Sequence, residues 1–167
     1  MSYIASFYLV KASQAEELVS LAELIPAQKK FLGIFPKKVV DTKTKFWDFV
    51  ANHVSELNEY EYSGFAFVEL FALFPDVTAI SKSSLGIRIA KAMDSTYLSF
   101  TEHEAQEALS ALGSEPPGDA KIRAYFEEDD RGYDASDWVI PVQEAWSTLK
   151  EWLHQVHGNE IGLLSVG

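Results

Sequence analysis

The chain has 167 residues and no cysteine, which is the length of one ordinary domain and excludes disulfide bonds, thiolate metal sites and a cysteine nucleophile. Its formal net charge of −11 disfavours nucleic acid and anionic membranes as partners of the whole molecule. The longest strongly apolar stretch, 65–74, has ten residues, whereas a membrane-spanning helix needs about 20. Because no basic stretch precedes the apolar N-terminal residues, we expect a cytoplasmic protein with no membrane partner.

Both ends of the chain predict a strand that is apolar on its two faces. Ser2–Val10 is rich in aromatic and β-branched residues, and Ile161–Val166 is mostly aliphatic. Such strands are typical of a sheet interior that is covered on both sides. Weaker strands are predicted at Val77–Ser81 and Thr96–Phe100, and we expect the internal strands to lie at the sheet edges.

Helices are predicted for most of the chain between the terminal strands. Ser13 and Glu16, and later Thr101 and Glu104, have the spacing of a capping box, in which two side chains satisfy backbone groups at the start of a helix. Pro141 suits the first turn of a long amphipathic helix that continues to about residue 156. Other predicted helices cover 14–24, 42–57, 65–74, 84–93, 102–112 and 119–128.

Pro26–Lys45 differs from the rest of the chain, because it holds six lysines and a single acid. With Phe31, Phe35 and Phe46 close by, these lysines imitate a nucleic-acid surface of basic and aromatic residues. The acidity of the remaining chain opposes phosphate binding. We therefore interpret the segment as a long connection, with nucleic acid as the less favoured alternative.

These elements predict a helix-rich α+β fold in a single domain, 1–167. The terminal strands would form the centre of a small mixed sheet, and about six helices would cover it. The element order, with the strings FWDFVANHVSELNEYEYSG, YLSFTEHEAQEALSAL and GNEIGLLSVG, resembles the uncharacterised bacterial YfbM-like proteins. This resemblance implies a cytosolic bacterial protein of that compact fold, and it implies no activity and no functional residues.

An acidic segment, Glu127–Asp137, is the first candidate binding surface, with six acids in eleven residues. It does not fit an EF-hand, since aligning Gly132 with the loop glycine puts Arg131 and Trp138 at ligand positions. We interpret it as a solvated loop or a contact for a basic partner, and an irregular calcium site stays open. The predicted binding residues are Glu127, Glu128, Asp129, Asp130, Tyr133, Asp134, Asp137 and Trp138.

The second candidate is a pocket beside the sheet that would hold Glu69, His53 and His103. Glu69 is the single charged residue of an apolar run, where a carboxylate can act as an acid or a base. The plainer interpretation makes it the solvent-facing position of a buried helix. The two remaining histidines, His154 and His157, lack the His-Glu-x-x-His spacing of a zinc site, so we expect no metal.

Three widespread motifs of catalysis and nucleotide binding are missing from the sequence. It has no nucleophile elbow, no phosphate-binding loop and no dinucleotide fingerprint, so we expect no cofactor. These exclusions favour a non-catalytic binding protein, acidic and inhibitor- or immunity-like, with a basic protein partner. Two alternatives stay open: an enzyme or small-molecule binder that uses the pocket, and a homodimer, because the chain is rich in aromatic residues.

Overall fold

Four strands form one antiparallel sheet in the computed structural model of the chain, which describes residues 3–24, 37–57, 60–81, 84–93, 96–128 and 134–167. The strands are β1 (Ala5–Lys11), β2 (Ser55–Glu56), β3 (Thr96–Phe100) and β4 (Glu160–Val166), and their order across the sheet is β2-β1-β4-β3. The α+β prediction is confirmed, and so is the prediction that the terminal strands are central.

The two central strands pair along their whole length. Their register runs from Ala5 opposite Val166 to Lys11 opposite Glu160, and reciprocal backbone hydrogen bonds between Ile4 and Gly167 extend it. The sheet is antiparallel throughout, so the prediction of a mixed sheet is wrong. Strand direction depends on how the connecting helices cross the sheet, and an apolar composition is compatible with either direction.

Eight α-helices connect the strands in the described part of the chain, two more than the approximate number predicted. They are α1 (Ala15–Glu23), α2 (Lys37–His53), α3 (Phe65–Leu73), α4 (Pro75–Ile80), α5 (Ser84–Met93), α6 (Glu102–Leu112), α7 (Asp119–Glu128) and α8 (Ser136–His154). None of these helices is both long and apolar enough to cross a bilayer.

Several predicted elements are corrected by the structure. The strand predicted at Val77–Ser81 is helix α4, because Pro75 takes the first helical position, where its missing N–H costs nothing. The segment interpreted as a connection contains the start of α2 at Lys37, and the rest of it, up to residue 36, lies outside the described residues. Helix α2 ends at His53, before strand β2, and not at residue 57.

The two predicted capping boxes have opposite outcomes. At α6 the box is confirmed: the Glu104 N–H donates to the Thr101 hydroxyl at 3.3 Å, and the Thr101 N–H donates to the Glu104 carboxylate at 2.8 Å. At α1 it is wrong, because a 3₁₀ turn at Ala12–Gln14 shifts the helix start and Gln14 takes the cap position without a side-chain bond. Pro141 lies inside α8 and not in its first turn.

The two faces of the sheet carry separate hydrophobic cores. The larger core contains Phe7, Phe100 and Leu164 from the sheet and receives buried residues from α3, α4, α6, α7 and α8. The smaller core contains Val10, Tyr97 and Leu163 and receives residues from α1, α2 and α5. Because successive strand residues point to opposite faces, strands that are apolar throughout support a core on each side.

The segment before α3 is fixed against the outer edge of β1. The Leu57 N–H donates to the Phe7 carbonyl, and the Gly64 N–H donates to the Tyr3 carbonyl, each at 2.9 Å. Gly64 approaches β1 so closely that a Cβ there would lie 2.7 Å from the Ala5 nitrogen. The backbone is therefore attached to the sheet both before and after residues 60–62.

Candidate functional site

Residues 60–62 and the outer face of α8 line an open, polar cleft of about 290 Å³, here named the α8 cleft. Its lining residues are Tyr60, Glu61, Tyr62, Glu144 and Thr148. The first three come from the segment fixed beside β1, and the last two lie one turn apart on α8. Two separate backbone elements therefore contribute acceptor groups to one space.

Helix α8 presents Glu144 outward because its opposite face is held in the larger core. The buried residues of α8 are Val139, Val142, Ala145, Trp146, Leu149, Trp152 and Leu153. Their spacing is that of one face of an α-helix. The exposed positions Asp137, Ile140, Glu144 and Glu151 recur on the other face, over about 21 Å of helix. We name these four residues the acidic stripe.

Tyr60 connects the segment to the helix. Its hydroxyl donates to the Pro141 carbonyl, and its ring packs edge-on against Phe67 with centroids 4.9 Å apart. Burial raises the pKa of Tyr60, and the nearby Tyr62 and Glu144 raise it further. The phenol therefore keeps its proton at neutral pH, where it serves as a hydrogen-bond donor and not as a base.

The charge in the α8 cleft is negative and uncompensated within the described part of the chain. Glu61 and Glu144 are exposed carboxylates, and neither forms an ion pair with a described residue. No basic side chain is among the residues that line the space. Tyr62 is 42% exposed, and Ile140, one turn before Glu144, is 58% exposed. The cleft thus combines carboxylates with accessible apolar and aromatic surface.

Helices α7 and α8 contain the two ends of the segment predicted as an acidic loop. Glu127 and Glu128 are exposed at the end of α7, while Asp137 and Trp138 belong to α8. Asp129, Asp130 and Tyr133 lie outside the described residues. Asp134 is exposed and accepts bonds from the N–H and hydroxyl of Ser136, which lower the pKa of its carboxyl group.

Trp138 has a packing role that the sequence interpretation did not include. Its ring stacks on Phe126 with centroids 5.3 Å apart and meets the edge of Phe65 at 5.6 Å. It is half-buried at the border of the larger core. Asp137, its neighbour, belongs to the acidic stripe, so one part of the predicted loop lies on the same face of α8 as Glu144, two turns away.

The three residues of the predicted pocket lie in different places. Glu69 is 1% exposed and accepts a hydrogen bond from the Tyr125 hydroxyl at 2.8 Å, so the plainer interpretation of a solvent-facing position is wrong. Val68 and Ala72 are the exposed positions of α3 instead. His103 is exposed, 3.6 Å from the Glu107 carboxylate. His53 is exposed at the end of α2, beside the Phe49 ring and on the smaller-core side.

Metal-ligating residues do not gather in the described ranges: they contain no group of three or more His, Asp or Glu side chains that could hold an ion. His154 is exposed at the end of α8, and His157 follows it in the turn before β4.

Sequence reasoning missed the five residues of the α8 cleft. The string Tyr60-Glu61-Tyr62 was available as a signal, since it places a carboxylate between two aromatic rings. Its partner Glu144 is more than eighty residues away in the sequence. Only the packing of α8 against α3 and the attachment of the segment to β1 bring these groups together.

No family model, curated protein or solved structure matches the chain. The resemblance to YfbM-like proteins therefore stays a prediction.

Proposed function

We propose that the protein is a non-catalytic binding protein, inhibitor- or immunity-like, that binds a basic protein partner on the outer face of α8. The observation that carries this proposal is the α8 cleft, in which Glu61 and Glu144 face a shared space with two tyrosines. Carboxylates without a cationic neighbour favour a ligand that brings the positive charge. The net charge of −11 adds a long-range attraction toward a positively charged partner.

Exposed apolar surface beside the cleft supports a protein partner. Tyr62 and Ile140 are among the large apolar side chains that the described structure leaves exposed. Binding energy at protein interfaces concentrates in a few aromatic and apolar residues surrounded by polar ones, and tyrosine is enriched among them. The acidic stripe, with Ile140 between Asp137 and Glu144, has this mixed composition.

A second copy of this chain is a poorer occupant of the same surface. A two-fold dimer interface places the same patch of each copy against the other. Here it would bring the acidic stripes of the two copies together, and like charges facing each other across an interface oppose association. The surface therefore favours a basic partner over self-association.

Fluorescence anisotropy with a labelled peptide tests the proposal. The peptide alternates lysine and arginine with serine, and it is titrated with the wild type and with two charge-matched double variants. Glu61→Gln with Glu144→Gln alters the cleft, while Glu17→Gln with Asp48→Asn removes the same charge from exposed positions of α1 and α2 on the other side of the sheet. We expect about tenfold weaker binding for the cleft variant and less than about threefold for the control.

Equal weakening in both variants would mean that the peptide responds to net charge alone, and it would overturn the proposed surface. Affinity should also fall as salt is added, because exposed charges are screened over about 10 Å at 0.1 M ionic strength. Circular dichroism of both variants should match the wild type, since all four residues are exposed.

A further inference from the structure

We infer that the α8 cleft receives the guanidinium group of an arginine side chain, and that it discriminates arginine from lysine. This inference rests on the proposed function and adds the chemical class that the site selects. It follows from three properties of the cleft: the placement of its acceptors, the exposure of Tyr62 and the size of the space.

The acceptors of the cleft approach from two directions. Glu61 lies on the segment beside β1, and Glu144 and Thr148 lie one turn apart on α8. A guanidinium group has five N–H donors in a rigid planar fork, so it can bond to carboxylates on two sides at once. An ammonium group is a compact point charge with three donors and gains less from acceptors that are spread around it.

The aromatic part of the cleft also suits a planar cation. The rings of Tyr60 and Tyr62 are 5.7 Å apart and tilted by 52°, so they are not stacked face to face. Tyr62 is 42% exposed, and the Tyr60 hydroxyl is engaged by the Pro141 carbonyl. A guanidinium group stacks on an aromatic face while its edge donates to carboxylates. Tyr62 and the two glutamates offer this combination.

The size of the cleft is compatible with a cation that keeps part of its water. A volume of about 290 Å³ is much larger than the roughly 30 Å³ that one water molecule takes up in the liquid. The space can therefore admit a guanidinium group, part of its aliphatic stem and bridging waters. Guanidinium is more weakly hydrated than ammonium, so an arginine side chain loses fewer favourable contacts with solvent than a lysine side chain when it enters the cleft.

Two labelled peptides of equal length and charge test the inference. One carries arginine and the other lysine, each alternating with serine, and both are titrated by fluorescence anisotropy at fixed ionic strength. For the wild type we expect about tenfold tighter binding of the arginine peptide. Glu61→Gln with Glu144→Gln should reduce that ratio to below about threefold.

Single aromatic variants separate stacking from charge. Tyr62→Leu keeps an apolar side chain but removes the ring, and it should weaken binding of the arginine peptide more than binding of the lysine peptide, which lowers the preference for arginine. Trp47→Leu is the matched control, since Trp47 is 41% exposed on α2, on the smaller-core side. It should leave both affinities as they are.

The outcomes distinguish this inference from the function on which it rests. If the two peptides bind the wild type equally and both lose affinity in the cleft variant, the binding function stands and the selection of arginine is overturned. If the preference for arginine persists unchanged in the cleft variant, the cleft is not the site that selects arginine over lysine, and the inference is overturned. If neither peptide binds, both the function and the inference are overturned.

Discussion

The two faces of the sheet use their charged side chains differently. On the smaller-core side, Arg88 of α5 bonds to the Glu16 and Glu23 carboxylates of α1, at 3.0 and 2.8 Å. On the larger-core side, Glu61 and Glu144 lie beside a cleft and form no ion pair with a described residue. On one side a cation therefore joins two helices through their carboxylates, while on the other side Glu61 and Glu144 stay without a described cation and are available to a ligand.

The cores beneath these surfaces differ as well. In the larger core, Trp152 stacks on Phe7 at 5.4 Å and on Phe67 at 5.3 Å, which joins the sheet, α3 and α8 through aromatic contacts. The smaller core is built from fewer buried residues on three helices. Extensive burial on the larger side holds α8 in place without help from its exposed residues. Glu144, on the exposed face of α8, takes no part in this packing among the described residues.

The largest effect should come from removing β4, which is shared by both cores. β4 pairs with β1 and β3, and Leu163 and Leu164 are buried on opposite faces of the sheet. Deleting residues 161–167 should abolish the cooperative fold, because both cores lose their central strand. Circular dichroism and a thermal melt measure this. A native-like melting transition in the truncated protein would contradict the sheet order.

On the larger-core side, Leu149→Ala should destabilise the fold by about 2–5 kcal/mol. Leu149 is 0% exposed in the middle of α8, so the substitution removes buried methyl groups and leaves a cavity. Chemical denaturation gives the free energy of unfolding. Ile140→Ala on the outer face of the same helix is the control, and it should cost less than about 0.5 kcal/mol. A loss below about 1 kcal/mol for Leu149→Ala would mean that α8 is misplaced.

Also on this side, Tyr125→Phe should cost about 1–3 kcal/mol. The substitution removes a hydroxyl that donates to the buried Glu69 carboxylate, and a buried polar group that loses a partner keeps its desolvation penalty. Tyr62→Phe removes an exposed hydroxyl and serves as the control in the same denaturation series. Equal stability of the two variants would argue against a structural role for the Glu69 contact.

The smallest effect is expected on the smaller-core side, from Arg88→Gln. Bonds from Arg88 lower the pKa of Glu23 below its ordinary value of 4.5. The contribution of the Arg88–Glu23 pair to stability is thus present in full above pH 4.5, and it is lost as the pH falls through the lowered pKa of Glu23. The variant should melt slightly below the wild type at neutral pH, and the two melting temperatures should converge in acid. A gap that widens in acid would contradict this pairing.

Much of the fold could be predicted because local patterns and burial agree. The apolar composition of β1 and β4 indicated central strands, and the spacing of Thr101 and Glu104 indicated the start of α6. Predictions were wrong where one sequence pattern is compatible with two local structures. Ser13 and Glu16 have the same spacing, yet the 3₁₀ turn that follows β1 moves the cap position from Ser13 to Gln14.

The candidate site was harder to predict than the fold. The density of acids at Glu127–Asp137 favoured that segment as the binding surface. Glu144, by contrast, is one of several acids on an amphipathic helix, and nothing in the sequence distinguishes it from the others. What distinguishes Glu144 is its proximity to Tyr62 and Glu61, which depends on long-range packing. A search of the sequence by charge density finds acidic segments, but it does not find a pair of carboxylates that the fold assembles.

The position at which a basic peptide binds is the most direct test of the contrast between the two sides. Backbone amide chemical shifts, assigned by NMR, are followed while the unlabelled arginine peptide is added to the wild type. We expect the largest shifts at residues 60–62 and along the exposed face of α8 from Asp137 to Glu151, with small shifts in α1 and α5. Shifts concentrated on α1 and α5, or spread evenly over the surface, would contradict the assignment of binding to the α8 cleft.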